Sequence, residues 1–162
     1  MKHLIFTLSL LAFVSCKDNK QERTKTEVVD QSVDTEKEHH NEETSNLYEN
    51  TWINNIKLNN GNKWQANTET NEGILKMQNS IKTQTTSTLE DYYKLADQLN
   101  NDKNYVIKNC TMKGASHDNL HVWLLPLMEK IEALSEIKTI TGASKLKHSI
   151  EENINAYSEY FQ

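Results

Sequence analysis

The chain has 162 residues, 36% of them hydrophobic, with 18 basic and 23 acidic side chains and a net charge near −5. That is enough chain for one core and too little for two. A single Arg (Arg23) and no basic face argue against nucleic-acid or phosphate recognition.

Residues 1–15 read as a lipoprotein signal peptide. Met1-Lys2-His3 is a short basic start, and Leu4 to Val14 is an apolar run broken only by Thr7 and Ser9. Eleven helical residues cover about half of a bilayer core, so the run does not span a membrane. The run ends at Phe13-Val14-Ser15-Cys16, which resembles the lipobox of bacterial lipoproteins, with Phe13 where Leu is usual. The resemblance implies a Cys16 that carries acyl chains and becomes the mature N-terminus, anchoring the protein to an inner or outer membrane of a bacterial envelope. The plainer alternative is a secreted protein with an incidental Cys.

Residues 16–46 then form the lipidated Cys and an acidic tether. From Lys17 to Asn46 the only apolar residues are Val28, Val29 and Val33, among five basic and nine acidic ones. Such a stretch cannot bury enough surface to offset its ordering entropy, and the expectation is disorder. His39-His40 among Glu36, Glu38, Glu42 and Glu43 can attract a divalent metal weakly, or simply be a solvated charge run.

Residues 47–162 hold all three Trp and all six Tyr. Trp52 to Leu58, followed by Asn59-Asn60-Gly61, reads either as a short strand and turn or as an irregular segment packing aromatics onto a helical bundle. Four glycines are too few for a chain of hairpins. Apolar spacing predicts four amphipathic helices. The first carries Ile74, Met77 and Ile81, with Trp64 and Ala66 upstream; the second carries Leu89, Tyr92, Leu95 and Leu99, opened by the capping-box spacing of Ser87 and Glu90. The third carries Val106, Cys110, His117, Leu120, Leu124, Leu127, Ile131 and Leu134, bent at Pro126. The last carries Leu146, Ile150, Ile154, Tyr157 and Phe161, opened by Thr141 to Ser144. The fold expected is all-α, an antiparallel four-helix bundle.

Helix order and the local sequences Asn67-Thr68-Glu69-Thr70 and Asn155-Ala156-Tyr157 resemble the soluble periplasmic cytochrome b type of four-helix bundle, over about residues 62–162. That family binds haem iron through a Met in the first helix and a His late in the last. Here those positions fall on Thr68 and Ser158, and there is no Cys-x-x-Cys-His. The resemblance implies the bundle and, at these two positions, no haem.

The chemistry-bearing stretch is Cys110 to His121. On one continuous helix Cys110, Gly114, His117 and His121 share a face at steps of four, three and four. A thiol and two imidazoles with thioethers from Met112, Met128 or Met77 suit a soft metal, Cu(I) or Zn(II). The competing reading is plain packing, with Cys110 as a small hydrophobe and Gly114 allowing close approach or separating two helices. Without a disulfide partner, Cys110 is buried, metal-bound or paired between chains. Trp123 and Leu125 lie off the main seam and, with the Trp52 segment, offer a surface for an envelope protein partner. There is no phosphate loop, nucleophile elbow or HExxH motif. The expected function is therefore metal binding for handling or sensing rather than enzymatic catalysis, with a metal-free interaction module as the alternative.

Overall fold

The computed structural model describes residues 47–162. The signal, Cys16 and the tether lie outside the described residues. The domain is an antiparallel bundle of four helices, α1 (Thr68–Thr83), α2 (Leu89–Asn109), α3 (Ala115–Glu136) and α4 (Ile140–Tyr160). Each helix packs on its neighbours in sequence, and α4 closes the ring against α1. Among the described residues, no helix is long and apolar enough to cross a membrane.

The helix ends are set by local chemistry. Thr88 caps α2: its hydroxyl accepts from Asp91 N at 3.2 Å, and Asp91 Oδ2 accepts from Thr88 N at 2.9 Å. The reciprocal box is thus real but sits one residue later than the Ser87–Glu90 spacing suggests. These bonds from Thr88 hold the Asp91 carboxyl below its usual range. Thr139 caps α4 by accepting from Gly142 N at 3.1 Å.

Two boundaries differ from expectation. Trp64 and Ala66 do not extend α1. They lie in an extended segment that pairs with the C-terminus: Trp64 N donates to Tyr160 O, Gln162 N to Trp64 O, and Ala66 N to Gln162 O. The larger difference is at the second and third helices. Leu89 through Val106 form one helix, and residues 110–114 are a loop. Gly114 has φ 60° and ψ −144°, a conformation close to glycine-only, so the helix cannot run through it. The stripe expected on one helix is carried by two.

The core contains Met77, Leu95, Leu99, Val106, Leu120, Leu127, Leu134, Ile150 and Ile154, all buried. A Cβ built on Gly73 would overlap the Val106 Cγ2 methyl, so α1 and α2 approach closely there. Before the bundle, residues 51–54 make one 3-10 turn rather than a strand. Asn59 and Asn62 close a tight turn with Asn60 (φ 51°) and Gly61 (φ 86°) at its corners. Trp52 is buried against the bundle, edge-on to Tyr160 at 5.9 Å. Trp123 is fully buried rather than off the seam, because α3 presents a wider face that includes it with Leu120, Leu124 and Leu127.

Candidate functional site

The loop between α2 and α3 positions the first candidate site. Asn67, at the start of α1, holds it: Asn67 Nδ2 donates to Asn109 O at 3.0 Å, and Thr111 N donates to Asn67 Oδ1 at 3.3 Å. Cys110 caps the end of α2 and is half-buried. One turn into α3 lie His117, half-buried, and His121, exposed. Their Nε2 atoms are 3.1 Å apart and their rings meet edge to face, with centroids 4.5 Å apart. At that separation one imidazole carries the proton and the other accepts it.

A cavity of about 200 Å³ lies beneath the pair, lined by Cys110, His117, His121 and Met128 together with apolar side chains of α2 and α3. The loop therefore brings together four of the six side chains that sequence spacing nominated, though not by placing them on one helix. Met112 and Met77 do not line it; both are buried in the core. Among the described residues, no group of three or more His, Cys, Asp or Glu side chains stands ready to share a metal ion. Cys110 also lies near Tyr157. Burial, with a smaller contribution from the Cys110 thiol, pushes the Tyr157 phenol well above its ordinary range. The phenol donates to Asn71 Oδ1 at 2.9 Å.

His148 is exposed and pairs with Glu152 at 3.3 Å, in keeping with a position off its helical stripe. The cytochrome positions, Thr68 and Ser158, are both exposed.

A second cluster was not singled out by sequence. Lys130 is 1% exposed, within α3. Its ammonium meets Asn50 Oδ1, which also accepts from Trp52 Nε1 at 3.0 Å. Asn50 Nδ2 donates to Ser149 O at 3.2 Å and to Glu152 Oε2 at 3.3 Å. One Asn thus ties the N-terminal segment to α3 and α4. Burial pushes the Lys130 ammonium down to about 8, against the opposing pull of Glu152 and Glu129. Nearby on α4, Ser149 Oγ and Asn153 Oδ1 are buried without a hydrogen-bond partner among the described residues. Buried polar atoms are seldom left so. Helical spacing carried the missing signal: Trp123, Leu127, Lys130 and Leu134 step by four, three and four, which puts Lys130 on the core seam.

No family model, curated protein or solved structure matches the chain.

Proposed function

We propose that this protein is a lipid-anchored envelope protein whose helical bundle takes Cu(I) or Zn(II) at the His117–His121 pair for metal handling or sensing. The observation that carries the reading is the 3.1 Å separation of the two Nε2 atoms on successive turns of α3. Two nitrogens bound at about 2.0–2.1 Å and roughly 100° apart stand about 3.2 Å from each other, so the spacing suits two ligands of one ion once the shared proton is lost and the rings turn their lone pairs toward it. Two protein ligands leave positions open, and His121 is exposed. An open, exposed site suits an ion that arrives and leaves by ligand exchange. Cys110 and Met128 line the same cavity, and sulfur ligands favour the softer ion.

The test is competition titration of the full chain with Zn(II) and Cu(I). Either His117→Ala or His121→Ala is expected to weaken binding at least tenfold, because each removes one of two nitrogen ligands. The double variant retains only the weak affinity of the tether, where His39 and His40 lie. Equal affinities in wild type and the double variant would overturn the reading.

A metal-free interaction module remains the second reading, on a different surface from the one expected. Trp52 and Trp123 are buried, whereas Ile107 and Leu125, at the rim of the His cavity, are 48% and 50% exposed. Capture of an envelope partner that survives chelation of all metal and is lost in Leu125→Ser favours this reading over the first.

Lipid anchoring rests on the apolar run ending at Ser15-Cys16. Several acyl chains at about 0.8 kcal/mol per buried CH₂ hold a domain durably. Cys16→Ala is expected to move the protein from the membrane to the soluble fraction and to remove the acyl mass. A Cys16→Ala chain that still sediments with membranes would count against the anchor.

A further inference from the structure

Between the N-terminal segment and α3 lies a second cavity, of about 530 Å³. It is separate from the His pair and within the size range of small-molecule pockets. Leu47, Trp52 and Pro126 form its apolar wall, Thr51, Glu49 and Glu129 add a hydroxyl and two carboxylates, and Lys130 is the one cation among the described residues of the lining.

The state of Lys130 is unusual. An ammonium carries three N–H donors, yet among the described residues Lys130 Nζ has a single acceptor, Asn50 Oδ1. A full positive charge so buried and so thinly paired is costly, and the neutral amine is correspondingly favoured. Burial brings its titration down to about 8, so roughly a quarter of the amine is free base near pH 7.5, against about 0.1% for an exposed lysine. A free-base amine on a side chain in the wall of a cavity is a nucleophile.

We propose that this cavity is a carbonyl-binding site in which the Lys130 amine captures a small uncharged aldehyde as an imine. The carboxylates of Glu49 and Glu129 disfavour an anionic ligand, and the apolar wall favours a neutral one. In the step, Lys130 Nζ attacks the carbonyl carbon and an N–C bond forms. The two amine protons then leave with the carbonyl oxygen as water, and the C=N bond closes. No oxidant or reductant is needed.

The test is reductive trapping in the full chain at pH 7.5, with benzaldehyde as probe and cyanoborohydride to fix the imine, followed by peptide mass mapping. Lys130 is expected to be labelled at least tenfold faster than Lys94, whose side chain is 60% exposed and serves as the internal comparison. Succinic semialdehyde, which carries a carboxylate, is expected to label Lys130 at least fivefold more slowly than benzaldehyde. Trp52→Ala, with its helical content verified by circular dichroism, is expected to abolish the advantage over Lys94. Labelling of Lys130 no faster than Lys94 in the folded wild type overturns the proposal. So does labelling of Lys130 that appears only in urea. Faster labelling by the anionic aldehyde overturns the assignment to an uncharged ligand.

Discussion

Trp123→Ala is expected to cost about 3–5 kcal/mol, the range for removing a buried aromatic side chain. The indole is fully buried, and its Nε1 donates to Asn153 O at 2.8 Å, across to α4. Its ring meets Tyr157 edge to face at 5.1 Å, and Tyr157 in turn stacks on Phe161 at 4.7 Å. Truncation therefore removes apolar burial, one hydrogen bond between helices and the first member of an aromatic chain that reaches the C-terminus. The loss is a large part of a stability that for domains of this size is typically about 5–15 kcal/mol. Urea denaturation of the full chain measures it. Trp123→Phe keeps a ring against Tyr157 and loses the hydrogen bond, so it is expected to cost about 1–2 kcal/mol. A Trp123→Ala chain within about 1 kcal/mol of wild type would show that α3 and α4 do not depend on this contact.

The fate of Trp123 also shows how far the sequence could be read. The bundle was legible because the α1 and α4 stripes, Ile74-Met77-Ile81 and Leu146-Ile150-Ile154-Tyr157, have uninterrupted helical spacing and meet few polar residues. The middle of the chain was misdivided for two reasons. α2 has a seam of Leu95, Leu99, Asp102 and Val106, and the Asp breaks the apolar pattern. Asp102 is buried nonetheless, accepting from Ser80 Oγ at 2.7 Å and Gln98 Nε2 at 3.0 Å. A polar residue with its partners supplied by the preceding turn and by α1 is invisible to a pattern that counts only apolar side chains. The opposite error arose at Gly114, where an apolar stripe of the right period ran across a backbone that no helix can follow.

For the candidate site, the shared cavity follows the residue types the sequence offered, but not their expected placement on one continuous helix. The His117–His121 step of four residues lies wholly within α3 and survives, because it depends on one helix alone. Cys110 reaches the same cavity through the loop, held by Asn67, a contact 42 residues apart in sequence at Asn109. The Lys130 cluster was illegible because its organiser, Asn50, lies 80 residues away in an irregular segment with no periodicity. What could be seen was a Lys at a seam position, and long charged side chains at such positions often reach solvent. Here Trp52 and the N-terminal segment close over it.

Lys130→Met is expected to leave the domain at least as stable near neutral pH and to remove a pH dependence that the wild type carries. The ammonium titrates near 8 in the folded chain and near 10.5 when unfolded. Between those values the unfolded chain binds more protons, so stability rises with pH across that window; the penalty is fully present below about 8. Glu129 on α3, Glu152 on α4 and Glu49 in the N-terminal segment are the carboxylates around it, and those on the two helices already moderate the penalty. From about pH 7.5 to 9.5 the gain is about 2 kcal/mol. The upper limit is set by the phenols: Tyr105, Tyr157 and Tyr160 are all held above their ordinary range, and each begins to destabilise the fold as pH passes about 10. Urea denaturation at the two pH values, for wild type and Lys130→Met, isolates the lysine by difference. A wild-type-minus-variant difference that is the same at both pH values sinks the argument. A difference that grows with pH means that the fold carries a buried cation at a cost a Met of similar volume avoids. Stability does not account for a side chain that lowers it.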